Sequence, residues 1–363
     1  MTETDFMYAA VSKQPITSGK VTWQSPSNIA LVKYWGKRDP QIPENTSISF
    51  TLNNCHTITT LSFNPVSEKQ EEIQFEVIFE GQKKASFKPK IATFFKRIEN
   101  YCPYLSDYSF TVESENSFPH SSGIASSASG MGALALCIMS IERTLSEVEM
   151  TDDYFYKKAS FLARLGSGSA CRSVKGNVVV WGGHEQINES SDLFGVPFDG
   201  ELHLNFTNYQ DTILLVDKGE KQVSSTVGHN LMHGHPYAQQ RFAQANNHIV
   251  KMKDILINGD LDAFINLVES EALTLHAMML TSNPYFMLMK PNTLSIINKI
   301  WEFRKLNDSK ICFTLDAGAN VHVLYPEVEK QQVMSFIETE LAPLCQNNQY
   351  ICDSLGDGAR QLN

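Results

Sequence analysis

Between Pro119 and Gly130 the chain reads Pro-His-Ser-Ser-Gly-Ile-Ala-Ser-Ser-Ala-Ser-Gly, and it runs straight on into Met131–Arg143, a stretch that is evenly apolar. A helix without a wet face must be enclosed by other elements, so this segment predicts a buried helix inside a sizeable core. Its strongest apolar run, Ala133 to Ile141, falls far short of the roughly 18 residues that cross a bilayer. The chain has the material to enclose such a helix, with 363 residues of which 42% are hydrophobic and 19% charged. That length predicts two domains, and the composition excludes disorder as the dominant state.

A strand over Tyr108–Glu113, then the small-residue loop, then the helix would gather backbone N–H groups and the positive helix end at one point. That is a physical recipe for holding phosphate. Side chains this small let an anion approach the backbone, and Ser126 or Ser127 could add a donor or reach a Mg²⁺ ion. The loop is neither Walker A nor Rossmann, because GK[ST] and GxGxxG are both absent. A Ser-rich turn in front of a core helix is the alternative.

The remaining pattern is α+β. Val21–Trp23, Ile29–Tyr34, Ser47–Leu52, His56–Phe63 and Glu72–Phe79 read as a meandering sheet, Ile91–Tyr101 and Tyr154–Leu165 as helices, and Asn177–Trp181 as a strand. A second set follows, with strands at His203–Asn205, Thr212–Val216, Lys310–Leu315 and Val321–Tyr325. Its helices are His235–Asn258, Leu261–Met278, Thr293–Leu306 and Glu327–Glu340. This ordering predicts a division into residues 1–204 and 205–363.

Lys and Arg number 30 against 40 Asp and Glu, a formal charge of −10. That disfavours a general nucleic-acid binder and leaves room for a local basic pocket. The seven cysteines are odd in number and lack CxxC spacing, so they read as reduced thiols of a cytoplasmic protein. Glu3 and Asp5 interrupt Met1–Pro15, which does not read as a secretory signal.

Three further segments bring candidate chemistry. In Ile29–Trp35, read as a strand, Lys33 shares a face with Ile29 and Leu31; an inward ammonium is costly unless an anion meets it, the alternative being a wet strand end. In Ile311–Asp316 an apolar strand delivers a carboxylate at its tip, either for function or to cap an Asx turn. In Gly166-Ser167-Gly168-Ser169-Ala170-Cys171-Arg172-Ser173, hydroxyls beside one Arg suit a carboxylate or phosphate, or form an ordinary polar turn. Asp217–Ser225 reads as a polar hairpin. His229, His233 and His235 resemble a metal cluster but have no fourth ligand nearby, and the zincin-like start at His184-Glu185 meets Asn188 where a second His belongs. Cys171, next to Arg172, reads as a packed thiol.

Taken together, SPSNIALVKYWGKRD, ENTSISFTL, SENSFPHSSGIASSASG, GSGSACRSVKG, KQVSST and FTLDAGAN resemble the diphosphomevalonate decarboxylases. That family lies in the superfamily of galactokinase, homoserine, mevalonate and phosphomevalonate kinases. The matches run from about residue 21 to 325. The resemblance implies a GHMP-kinase fold, with an N-terminal domain of the ribosomal-S5 type, a C-terminal ferredoxin-like domain and the site between them. It implies ATP-dependent decarboxylation of mevalonate 5-diphosphate to isopentenyl diphosphate, with ATP and Mg²⁺ as cofactors and a homodimer as the assembly. Nucleic acid and membrane are not expected partners.

By the same resemblance Asp316 is the catalytic aspartate, Lys33 the lysine paired with it, and Arg172 the holder of the substrate carboxylate. Ser167 and Ser169 flank that end of the substrate, while Tyr34, Lys37 and Ser225 contact its diphosphate. Pro119, Ser122, Gly123, Ala125, Ser126 and Ser127 form the ATP phosphate loop, with Ser126 or Ser127 as the metal-side hydroxyl. Two departures stand out: Ala319 where the family commonly has Pro, and His-Ser-Ser after Pro119 where it commonly has Thr-Ala-Ala. Rival readings are a decarboxylase of the monophosphate, a kinase of a mevalonate hydroxyl, and a catalytically dead ligand-binding homologue.

Overall fold

The computed structural model describes residues 1–8, 17–119, 124–217 and 225–362. In chain order the first half contains β1 (Gly19–Val32), β2 (Lys37–Arg38), β3 (Ile42–Pro43), β4 (Ser47–Pro65), β5 (Phe75–Phe79), β6 (Gln82–Lys83), α1 (Lys88–Ile98), β7 (Tyr108–Asn116), α2 (Ser126–Leu145), α3 (Asp152–Gly166), β8 (Val178–Trp181) and β9 (Val196–Pro197). The second half contains β10 (Gln210–Leu214), α4 (Ser225–Asn230), α5 (Ala238–Asn258), α6 (Leu261–Leu280), α7 (Pro291–Asn307), β11 (Cys312–Thr314), β12 (Val321–Tyr325), α8 (Lys330–Phe336), β13 (Tyr350–Ser354) and β14 (Arg360–Gln361).

The first sheet has the order β14-β1-β4-β7-β5-β6, with β8 on β4 and β9 on β8. Two pairs of short strands expected from the sequence are fused. Val21–Trp23 and the following apolar run are one strand, its register shifting between Pro26 and Asn28, where Pro26 has no N–H to donate. Ser47–Leu52 and His56–Phe63 are likewise one strand. Asn53 and Asn54, the polar residues between the two expected strands, instead lie within the one strand, where the Asp353 carboxylate accepts the N–H groups of Asn53, Asn54 and Cys55 at 2.9, 2.8 and 2.7 Å. A long-range acceptor thus outweighs the local turn preference.

Helix α2 lies against this sheet, buried over nearly its whole length as its composition requires. Small residues set the approach: a Cβ on Gly132 would sit 2.6 Å from Ser25 Oγ. Trp23 Nε1 donates to Ser140 Oγ on α2 at 2.8 Å, so a polar group buried here is satisfied. Helix α3 begins at Thr151, whose hydroxyl accepts the Tyr154 N–H.

The second sheet has the order β11-β12-β10-β13. One face, Leu214, Phe313, Val321 and Val323, packs with Ile296, Ile300, Val333 and Ile337. The opposite face, Ile213, Cys312 and Leu324, joins the large core that includes α2 and Phe264 of α6. Residues 203–205 are not a strand: Leu204–Phe206 forms a single 3-10 turn, because the His203 imidazole accepts the Asn205 N–H. The stretch Glu327–Glu340 is not one regular helix but a 3-10 turn, α8 and a wider π-type turn. Strand β14 returns to the first sheet, pairing Gln361 with Trp23 and Arg360 with Gln24, so the chain's end crosses the 204/205 division. All seven cysteines are free thiols and six are buried.

Candidate active site

Strand β1 ends at Val32, so Lys33 follows the pleat rather than sharing a strand face with Ile29 and Leu31. It lies in the join between the two sheets and is 1% exposed. Asp316 follows β11 from the opposite side. Its turn is held by Gly318 N–H on the Asp316 carbonyl, by the Thr293 hydroxyl on the Ala319 carbonyl, and by Asn320 Oδ1 accepting the Asp217 N–H. The two side chains meet with Lys33 Nζ 3.1 Å from Asp316 Oδ1, the carboxylate retaining 34% exposure. The buried ammonium therefore has its anion, and Asp316 does more than cap a turn. Burial pulls the Lys33 pKa below the usual lysine value, with Asp316 and then Glu271 opposing.

Arg172 comes from the 3-10 turn Gly168–Ser173 that follows α3. It is 3% exposed, with Nη1 on Ser47 Oγ at 2.5 Å, Nε on Asn28 Oδ1 at 3.4 Å, and its guanidinium 5.8 Å from the Trp181 ring. Burial pulls its pKa down as well, and the Asp316 charge works against that, while Arg172 in turn depresses Lys33. The three groups therefore share one electrostatic field. Among the described residues Arg172 Nη2 donates no hydrogen bond.

Tyr34 and Lys37 extend the site. The Tyr34 ring packs edge-on to Trp181 at 4.6 Å and lies 4.2 Å from the His229 ring, with its hydroxyl buried and unpartnered among the described residues. Lys37 Nζ donates to Gln41 Oε1 at 2.9 Å; burial lowers its pKa and Asp39 opposes that. Ser167 Oγ lies 3.3 Å from Ser127 Oγ, which joins the Ser/Arg turn to the start of α2. Ser169 contributes its carbonyl to Asn28 Nδ2 at 3.2 Å.

At the start of α2, Ala125 at φ 44° turns the chain into the helix, and among the described residues no side chain caps the first N–H groups. Beside it lies a cavity of about 170 Å³, lined among others by Thr57, Asn116, Ser126 and Ser127 and by the apolar Val77, Phe79, Phe87, Ile91, Met131 and Leu134. Pro119 is exposed just beyond β7. Ser122 and Gly123 lie outside the described residues, as do the Ser225 side chain and most of the segment read as a hairpin.

Several buried groups at the site gave no signal in the sequence. Glu271, Arg241 and Asn45 surround the Lys33 backbone, and His276 Nε2 is 3.1 Å from the Asp316 carbonyl. Burial brings the His276 pKa down to about 4, partly offset by that carbonyl. His229, read above as part of a histidine group without a fourth metal ligand nearby, accepts the Gly36 N–H through Nδ1 at 3.0 Å, and burial brings its pKa down to about 3. A helix face shows such residues only as scattered polar interruptions. Among the described residues no group of three or more His, Cys, Asp or Glu could hold a metal.

Residues 25–192 match the diphosphomevalonate decarboxylase-like N-terminal domain, and residues 212–359 match the mevalonate 5-diphosphate decarboxylase C-terminal domain. A diphosphomevalonate decarboxylase of Debaryomyces hansenii is 31% identical over 86% of this chain and 81% of its own. A phosphomevalonate decarboxylase of Haloferax volcanii is 28% identical over 81% and 84%. Among solved structures, mevalonate diphosphate decarboxylase from Staphylococcus aureus superposes with a TM-score of 0.81 at 28% identity, over 96% of this chain and 99% of that one. The structure described as MDDEF in complex with MVAPP, AMPPCP and magnesium gives 0.80 at 26%, over 96% and 100%. The fold is therefore that of the GHMP kinases, and the chain belongs to the diphosphomevalonate decarboxylase family.

Proposed function

We propose that this chain carries out the ATP-dependent decarboxylation of mevalonate 5-diphosphate, giving isopentenyl diphosphate, ADP, phosphate and CO₂. The Lys33–Asp316 contact at 3.1 Å, in the electrostatic field of Arg172, carries the reading. The substrate has a carboxylate beside a tertiary alcohol and no carbonyl to absorb the electrons that CO₂ leaves behind. Hydroxide leaves poorly, so the 3-hydroxyl must first become a phosphate ester. Loss of phosphate then leaves positive charge at C3, which the C–C bond electrons fill as CO₂ departs.

Each residue has a part in that sequence. Asp316, open to the cleft, orients the 3-hydroxyl and takes its proton. Lys33 pairs with Asp316 and meets the transferring phosphoryl oxygens. Arg172 Nη2 faces the substrate carboxylate, a planar partner that an ammonium grips less well. Ser167 and Ser169 flank that end, and Tyr34, Lys37 and Ser225 take the diphosphate. The N–H groups at Ala125–Ser127 take the ATP phosphates, and the adjoining apolar cavity takes the base. Mg²⁺ would take phosphate oxygens for most of its ligands and one or two hydroxyl or carboxylate oxygens from the chain. Ser126 or Ser127 would hold it, and it supplies counter-charge to the phosphates.

The chain is further proposed to act as a homodimer in the reducing cytoplasm, in keeping with free, mostly buried thiols; sedimentation of the purified protein tests the dimer. The functional test is coupled release of ADP and CO₂ from mevalonate, its 5-phosphate and its 5-diphosphate. Both products from the diphosphate alone are expected. ADP without CO₂, or turnover of the monophosphate alone, would replace this reading with one of its rivals.

A further inference from the structure

The catalytic pair is assembled from two halves of the chain, and one helix touches the backbone of both. Glu271 of α6, fully buried, accepts the Lys33 N–H through Oε2 at 2.8 Å. The same peptide is held at its carbonyl by Asn45 Nδ2 at 3.0 Å and Arg241 Nη2 at 3.3 Å. Arg241 and His248, both on α5, bind the Glu271 carboxylate and fix its direction. Five residues further along α6, His276 Nε2 meets the Asp316 carbonyl at 3.1 Å.

We infer that α6 sets the distance between Lys33 and Asp316, with Glu271 and His276 as positioning residues that never touch substrate. The inference rests on the proposed role of that pair. A buried Arg–Glu pair is weak evidence for stability, because removing both charges from water costs about as much as their attraction returns. Here the pair has a specific use: it aims an acceptor at the one N–H that anchors a long, flexible lysine stem. His276 is neutral near neutral pH, so it can donate to a carbonyl without adding charge beside Lys33. A displacement of about 1 Å in reacting groups can cost on the order of 10²-fold in rate.

The test compares His276→Leu, which loses the donor, with His276→Gln, whose side-chain amide can reach the same carbonyl. The Leu variant is expected to lose kcat by about 30- to 100-fold, with KM for ATP and for mevalonate 5-diphosphate changed less than about threefold. The Gln variant is expected to keep at least about a third of the wild-type kcat. In a crystal structure of the Leu variant the Lys33 Nζ–Asp316 Oδ1 separation should lengthen. If the Leu protein does not fold, His276→Asn, too short to reach the carbonyl, takes its place in both measurements. Equal loss in both variants, a loss confined to KM, a full kcat without the donor, or an unchanged separation would each overturn the inference. The wild-type enzyme assayed alongside tests the functional reading; the ratio of the variants and the separation test the helix.

Discussion

Among the described residues two fully buried lysines pair with carboxylates, and the surroundings of the two pairs differ at one end. Beneath α2, Lys158 Nζ lies 2.6 Å from Glu142 Oε1, with side-chain exposures of 0% and 4%. The Tyr101 carbonyl takes a second Lys158 proton at 3.1 Å, and the Cys102 thiol lies against Glu142. Where the two sheets meet, Lys33 is equally enclosed, but Asp316 is about one-third open. Burial raises the Glu142 pKa, against the pull of Lys158, and Lys158 is itself held above the usual lysine value. Lys33 shifts the other way, because Asp316 does not fully offset its loss of water and Arg172 adds a like charge. A pair sealed at both ends serves the core; a pair open at the carboxylate can hand its acceptor to a ligand.

The largest test of this contrast removes the open end. Asp316→Ala should lower kcat by at least about 10³-fold, near the upper range for loss of a general base. ATP binding should change little, while thermal stability should fall, because the buried Lys33 ammonium is left without its anion. Steady-state kinetics and nucleotide titration measure this, and an active Asp316→Ala enzyme would erase the distinction between the pairs.

Lys158→Met tests the sealed pair. It leaves Glu142 buried without its partner and should destabilise the fold by about 3–5 kcal/mol. The protein that remains folded should turn over at close to the wild-type rate. Denaturant unfolding reads the first effect and active-site-normalised kcat the second; a lost kcat with intact stability would reverse the assignment.

The two pairs also differed in how legible they were. Lys33 stands out in the sequence as an ammonium on an apolar strand face, Asp316 as a carboxylate at the tip of an apolar strand, and α2 because its composition admits no wet face. Glu142 and Lys158 look in sequence like ordinary charged helix positions, since only packing tells which face of a helix turns inward. Glu271 and His276 were hidden for the same reason. The continuity of strand β4 could not be read locally: Asn53-Asn54 signals a turn, and the Asp353 carboxylate that overrides it arrives 300 residues later. Strand β14 has two residues and no alternation to detect.

Arg172→Lys probes whether the open pair needs a planar partner across the cleft. Lysine keeps the charge but cannot keep both the Ser47 and Asn28 hydrogen bonds while facing a carboxylate. The expected cost is about 1.5–3 kcal/mol in kcat/KM, the range for hydrogen bonds to charged groups. Full activity in the Lys variant would show that charge alone suffices there.

The smallest expected effect comes from the neutral histidine that braces the open pair, and its sign can be worked out. The His276 pKa falls from 6.5 to about 4 on folding. The unfolded chain therefore takes up this proton first, and its stabilising contribution, whole above pH 6.5, is lost as pH falls toward 4. Lys33 and Asp316 face the ring, and His229, depressed to about 3, titrates over much of the same window. Because His229 is present in both proteins, its contribution cancels when wild type is compared with His276→Gln. At pH 5.5 the wild type should have lost about 1.4 kcal/mol relative to neutral pH that the Gln variant keeps, a gap corresponding to one proton per molecule. Urea unfolding from pH 7.5 to 4.5 measures it. Parallel curves for the two proteins would mean that His276 already carries a proton in the folded state, placing a third cation beside Lys33 and Arg172.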